Sequence, residues 1–414
     1  MKRRVVVTGL GTVTPIGLCV NDFWDSIKLG KNKVSLFKMS TNKNIEKVVA
    51  SINNFNPEDF LTRKEALKLD RFIQFALVAT EEAIRDSNLN LHKEDKNNIG
   101  VILSAAIGGA HSFEYNTNLV FNETPGKCSS SLILACINML ASKIAMKYGL
   151  HGICKSVISA CATGVNNIGD AFRAIQYNNA DIIIAGGSEA AICDVIIGSL
   201  ISTRALSSET YIPKVASRPF DKDRDGFILG EGCGILILEE LEHAKKRGAK
   251  IYAEIIGYGE SCDAYDSTAP EPTGTYQEIA IRKALKEAKI EPSDIQYINM
   301  HGTSTYWGDI VESKTVERVF GDKDTNKNLL VSSTKSITGH LFAASGSIES
   351  IVCIKAINDN IAPPTINLHN LDEEVANLNY TPNKAKSHQI NIAMNNSFGF
   401  GGTNAILIFK KYTE

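Results

Sequence analysis

The sequence predicts a layered α/β protein made from two copies of one unit facing each other. Three observations carry that prediction. Helical and strand patterns alternate along the whole chain. The 414 residues exceed what one simple core accommodates, so two domains or one large duplicated unit is expected. A succession of helix, strand and closing strand also recurs in the two halves, residues 1–250 and 251–414.

Taken in order, Met1-Lys2-Arg3-Arg4-Val5-Val6-Val7 is basic then apolar. The apolar run breaks at Thr8-Gly9, too short for a secretory segment, and no small-residue cleavage site follows. It reads as a buried strand entering a glycine turn. A helical stretch from Ala79 to Asp86 leads into the strand Ile99 to Leu103 and the small-residue loop Ser104-Ala105-Ala106. Ser156 to Ala160 reads as another strand. Asn167 to Gln176 fits a helix, with Ile168, Ala171, Phe172 and Ile175 on one face. Ala180 to Gly187 is an apolar strand ending in glycines, and Gly226-Phe227 precedes a turn and the strand Gly234 to Leu238. The second half repeats the pattern. Ile279 to Lys289 is helical, Ile295 to Met300 is a strand, and His301-Gly302-Thr303 is the loop after it. A helix from Ala343 to Ile357 follows, then Gly399-Phe400 before a turn and the strand Ala405 to Phe409.

Composition removes several function classes. Hydrophobic residues at 43% and charged residues at 22% are ordinary for a globular chain. A formal charge of −2 argues against a broad nucleic-acid footprint. No run approaches the roughly 18 apolar residues needed to span a membrane, so a cytoplasmic location is expected. The nine cysteines include no Cys-x-x-Cys pair and no zinc-type spacing. Eight are expected to be buried, reduced thiols acting as small hydrophobes.

Cys161 stands apart. Cys161-Ala162-Thr163-Gly164 falls at a strand-to-helix junction, where free helix amides lower a thiol pKa and can hold the oxyanion of an attacked thioester. Small neighbours keep the turn tight and the sulfur reachable. Two of the eight histidines lie in similar loops: His301 after the strand Ile295 to Met300, and His340 in Lys335-Ser336-Ile337-Thr338-Gly339-His340, ahead of a helix. Two neutral imidazoles donating hydrogen bonds can hold a thioester oxygen as it becomes an enolate. Glu349, nine residues beyond His340, is placed to pair with Lys335. A fourth stretch, Asn395 to Asn404, is rich in glycine and carries Phe398 and Phe400, so it reads as a mobile loop that can approach a ligand closely. A strand rather than a helix follows it, which excludes a nucleotide-binding glycine loop.

With these motifs assembled, the chain resembles the β-ketoacyl-[acyl-carrier-protein] synthases of the thiolase superfamily, in their chain-elongating type II branch. The likeness runs from Val5-Val6-Val7-Thr8-Gly9 to Leu407-Ile408-Phe409, through Asp70-Arg71-Phe72, Ser217-Arg218-Pro219-Phe220-Asp221 and Gly230-Glu231-Gly232. It implies a five-layer α-β-α-β-α sandwich of two duplicated halves, dimeric, with no cofactor. It implies that Cys161 is acylated from carrier-protein pantetheine, and that His301 and His340 promote decarboxylation of malonyl-carrier protein and hold the carbanion. Lys335 and Glu349 would orient the histidines. The amides of Cys161 and Phe400 would form the oxyanion hole, with Phe398-Gly399-Phe400 gating the acyl pocket. Thr303 and Thr305 would bind pantetheine, and Ile107 would line the acyl pocket.

Three stretches depart from the fatty-acid-elongating pattern: Cys128-Ser129-Ser130-Ser131-Leu132, Ala110 to Tyr115, and Tyr306-Trp307, where a Pro-containing pair is usual. All three bear on pocket or partner contacts. They leave open a second expectation, the catalytic ketosynthase of a type II polyketide or polyene pathway paired with a chain-length factor. A non-catalytic chain-length factor is disfavoured by the presence of Cys161, His301 and His340. A degradative thiolase is disfavoured because no second cysteine stands in the C-terminal glycine loop.

Overall fold

Each half of the chain lays down five strands and three principal helices in the same order. The structure is a computed structural model that describes residues 2–122, 125 and 131–413. The first half runs β1 (Val5–Val13), α1 (Arg71–Asp86), β2 (Ile99–Ser104), α2 (Met139–Tyr148), β3 (Cys154–Lys155), α3 (Thr163–Gln176), β4 (Ile182–Glu189) and β5 (Gly232–Glu240). The second runs β6 (Ala253–Cys262), α4 (Thr275–Ala288), β7 (Tyr297–Asn299), α5 (Tyr306–Phe320), β8 (Leu330–Ser332), α6 (Ser345–Asp359), β9 (Ile392–Gly399) and β10 (Thr403–Lys410). The strands join in the order β8-β7-β9-β10-β6-β1-β5-β4-β2-β3. In each half the first and last strands pair antiparallel and the inner three run parallel. The halves meet where Val5 to Val7 pair with Ile255 to Ala253.

Side-chain alternation explains the layering. Ile235 and Ile237 of β5 pack with Phe72, Phe75 and Ala79 of α1 and Leu140 and Ile144 of α2. Their neighbours Leu236 and Leu238 point the other way, into the central layer with Ile168 and Phe172 of α3 and Ile348 and Ile351 of α6. Both faces are covered, which is why the sequence reads as an unbroken apolar run. Each such side chain contributes about 1.5–3 kcal/mol through burial. Beyond α6, Tyr297, Ala393 and Leu407 complete the central layer. On the far face Ile298, Met394 and Ile408 meet Ala280 and Ala284 of α4 and Ile310 and Val316 of α5. The result is the α-β-α-β-α sandwich expected.

Several local expectations are corrected. β1 does not turn at Gly9 but continues to Val13. A Cβ on Gly11 would lie 1.9 Å from the Ala79 carbonyl oxygen, so that glycine lets α1 press onto the strand. Ser156 to Ala160 is not a strand. Its first residues instead hold β2 through side chains, Ser156 Oγ donating to the Leu103 carbonyl at 2.8 Å and Ser104 Oγ donating to that of Val157. The thiols are also less uniform than expected. Cys193, Cys233 and Cys353 are buried, whereas Cys136, Cys154 and Cys262 are exposed, Cys19 is intermediate and Cys128 lies outside the described residues. Among the described residues no helix is long and apolar enough to cross a membrane.

The duplication reaches the turns that matter most. A 3-10 turn precedes each central helix, Ala160–Ala162 before α3 and Phe342–Ala344 before α6. Both open on a residue in the left-handed region, Ala160 at φ 49° and Phe342 at φ 45°. Each turn lies beneath a strand of the other half. A Cβ on Gly399 of β9 would sit 2.5 Å from the Ser159 carbonyl, and one on Gly187 of β4 would sit 2.2 Å from that of Ala343. Cys161 occupies the middle of the first turn and Ala343 the middle of the second. The unit is therefore duplicated while this cysteine is carried by one copy only.

Candidate active site

Cys161 is 4% exposed and sits at the start of α3, below the β9–β10 hairpin. The backbone strain at Ala160 is local to this thiol, as strained residues are at functional sites. Burial pushes the thiol up to about 11, against the pull of the Phe400 and Cys161 amides and the Lys335 charge. The Phe400 amide of the hairpin and the Cys161 amide at the helix start both act on the sulfur, but desolvation outweighs them. At neutral pH the resting group is a neutral thiol. Alkylation of Cys161 by iodoacetamide, followed on its own peptide because Cys136, Cys154 and Cys262 are exposed, is thus expected to rise about tenfold per pH unit from pH 7 to 10. A rate already level below pH 7 would contradict a neutral resting thiol.

His340 Nε2 lies 3.0 Å from Cys161 Sγ. Its Nδ1 is 2.9 Å from Ser345 Oγ, which accepts the Leu341 amide at 2.8 Å and so has its hydroxyl hydrogen free to donate to the ring. That arrangement favours the tautomer with the hydrogen on Nε2, facing the sulfur. The His301 ring stands edge-on to His340 with centroids 5.4 Å apart, and Phe398 flanks it at 5.8 Å. Burial holds both imidazoles well below the usual histidine range, and the Lys335 cation adds to this. Both rings are therefore neutral.

Lys335 and Glu349 form a buried ion pair. Burial raises Glu349 to about 7 while Lys335 opposes the rise. Sequence reading missed Glu312 of α5. Its carboxylate accepts the amides of His301 at 2.8 Å and Gly302 at 2.7 Å and the Asn396 side chain at 3.1 Å, so it fixes the loop that carries His301. Glu189 does the same for Ala106, Ile107 and Gly108, whose amides reach it at 2.8 to 3.3 Å. The available signal was an acidic residue at an otherwise buried position of an apolar helix or strand.

A cleft of about 330 Å³ joins Cys161, His301, His340, Phe398 and Phe400 at its floor to Thr303, Thr305, Tyr306 and Trp307 farther out. The hydroxyls of Thr303 and Thr305 are 2.8 Å apart. The segment read as a mobile loop is largely strand, with β9 and β10 paired up to Gly399 and Thr403. Ile107 is not brought into this cleft. It is 39% exposed on the segment its amide ties to Glu189. Of the departing stretches, Ala110 to Tyr115 lies on the helix Ala110–Phe121, and Cys128 to Ser130 lie outside the described residues. Among the described residues no group of three or more His, Cys, Asp or Glu side chains is arranged to hold a metal ion.

A thiol on a helix start, under two amides and beside two neutral imidazoles, is equipped for acyl transfer through a thioester and for holding an enolate. This fold and site define the condensing branch of the thiolase-fold proteins. The chain matches "Beta-ketoacyl synthase, N-terminal domain" over residues 2–244 and "Beta-ketoacyl synthase, C-terminal domain" over residues 252–369. It is 44% identical over 413 residues to a Synechocystis 3-oxoacyl-[acyl-carrier-protein] synthase 2, covering 99% of each chain. Among solved structures it superposes at TM-score 0.91 and 36% identity, over all of both chains, on a complex of a type II PKS acyl-carrier protein with its ketosynthase bound to the hexaketide. On the ishigamide ketosynthase/chain length factor the values are 0.92 and 31%, again over all of both chains. The chain belongs to the β-ketoacyl synthase family.

Proposed function

We propose that this chain is a β-ketoacyl-[acyl-carrier-protein] synthase, an acyltransferase of fatty acid elongation in the cytoplasm. The observation that carries the reading is the 3.0 Å approach of His340 Nε2 to Cys161 Sγ, with His301 beside it and the amides of Cys161 and Phe400 on the sulfur. The nucleophile belongs to residues 1–250 and the histidines and gating hairpin to residues 251–414. Partners are acyl carrier protein and a second copy of the chain.

In the first step Cys161 Sγ attacks the carrier thioester, its proton leaves with the pantetheine thiol, and the acyl group stays on the sulfur. Malonyl-carrier protein then enters past Thr305 and Thr303. Its terminal C–C bond breaks, CO2 departs, and the electron pair remains as an enolate. The N–H groups of His301 and His340 hold the enolate oxygen, while the Cys161 and Phe400 amides face the acyl carbonyl. The carbanion attacks that carbonyl and the C–S bond breaks. The β-ketoacyl product is two carbons longer, and the Cys161 thiolate takes a proton. Burial keeps both rings neutral, and the positive charge of Lys335, paired with Glu349, adds to this.

The structural likeness to a type II PKS ketosynthase and to a ketosynthase/chain length factor brings in a second reading, a catalytic subunit working with a chain-length factor. One assay separates the two. The purified chain, supplied with a saturated acyl-carrier protein and malonyl-carrier protein, is expected to form the β-ketoacyl product unaided, read by mass spectrometry. Activity only with a homologous partner lacking the cysteine would establish the second reading and overturn the first.

A further inference from the structure

The outer wall of the cleft carries an aromatic pair that the chemistry at its floor does not use. Trp307 in the first turn of α5 is 59% exposed and Tyr306 is 44% exposed, while the only other tryptophan, Trp24, is buried at 2%. Both line the cleft that ends at Cys161. Thr303 and His301, on the same wall, are each 8% exposed, so the aromatic pair marks the mouth.

The pair is braced. The Tyr306 hydroxyl donates to the Glu374 carboxylate. The Arg224 guanidinium lies over the Tyr306 ring at 5.2 Å, and its nitrogens donate to the carbonyls of Tyr306 at 2.9 Å and Thr305 at 3.3 Å. Arg224 is itself fixed by Asp372 at 2.6 Å and Asp309 at 3.5 Å. The Trp307 ring then stands edge-on to Tyr306 with centroids 5.1 Å apart. A large aromatic side chain held in place yet left in water gives the core little. It loses little rotamer freedom when a ligand covers it.

We infer that Trp307, positioned by Tyr306, is a binding residue for the pantetheine arm of carrier-borne substrates. This rests on the proposed function and adds a contact to it. The arm alternates amides with methyl and methylene groups. Threonine hydroxyls such as those of Thr303 and Thr305 suit the amides, and an indole face suits the apolar segments between them and the carrier.

The test uses the full chain and two malonyl donors, malonyl-carrier protein and malonyl-pantetheine. Trp307→Ala is expected to raise KM for both by about tenfold, as loss of one well-placed aromatic contact does, with kcat within about twofold. Trp307→Phe should recover most of the loss, and the melting temperature should not move. In Trp24→Phe, where Trp307 is the only indole, malonyl-pantetheine should shift the emission. An unchanged KM in Trp307→Ala overturns the inference, as does an unshifted emission in Trp24→Phe. So does an effect confined to malonyl-carrier protein, which would place the ring against the body of the carrier. A wild-type chain that condenses nothing overturns the function itself, whereas normal condensation with an unaltered KM in Trp307→Ala overturns only the role of Trp307.

Discussion

Cys161→Ala is expected to abolish acyl loading and to lower condensation by roughly 10⁴-fold or more, as loss of a covalent nucleophile does. Intact-protein mass spectrometry after incubation with an acyl-carrier protein should show the acyl adduct on the wild type and none on the variant. The fold supplies its own control. Ala343 already occupies the equivalent place in the second 3-10 turn, so alanine suits this backbone. Removing one buried sulfur should cost no more than about 1–2 kcal/mol, and the melting transition should remain cooperative. An adduct persisting in the variant would remove Cys161 from the mechanism.

The histidines should divide differently. His301→Ala is expected to leave acyl loading within a few fold and to slow condensation by about 10²–10³-fold, the usual loss for one donor to a developing oxyanion. His340 touches the sulfur and, on the proposed mechanism, also holds the enolate oxygen, so His340→Ala should slow loading as well as condensation. Single-turnover measurements of each step on folded variants separate the two. The pH dependence follows from burial. Because both rings sit well below the ordinary histidine range, neither imidazole should gain a proton as pH drops through 6.5, and any fall there belongs to Glu349, which burial raises to about 7. Loss of condensation through the histidines belongs at lower pH, where a second positive charge would be forced beside Lys335. A His301→Ala enzyme that folds but cannot be loaded would contradict the division of roles.

The main parts of the site were legible because their local sequence carries the signal. Small residues around Cys161 mark a tight junction, and glycines beside His301 and His340 mark loops at strand ends. The duplication was legible for the same reason, since each half repeats the spacing of helix, strand and closing strand. The supporting shell was not. Glu312 and Ser345 bond loop residues only four to eleven positions upstream, but which backbone amide or ring each side chain meets is decided by how the helix folds back on that loop. The sign of the Cys161 shift was misread because a helix start is visible in sequence while full burial under the β9–β10 hairpin is not. Gly9 resembled a turn residue because the approach of α1 to β1, where a Cβ on Gly9 would lie 2.3 Å from the Ala83 carbonyl oxygen, is a tertiary fact.

Carbon–carbon bond formation on acyl-Cys161, driven by decarboxylation, is tested most directly in a single turnover. The chain is loaded with a saturated acyl group, freed of excess donor and mixed with malonyl-carrier protein. The acyl mass on the Cys161 peptide and the released CO2 are then followed together. The expected result is that the adduct disappears as one CO2 per acyl group is released, with the β-ketoacyl chain on the carrier. An adduct that persists, or that is lost to water without CO2, would contradict it.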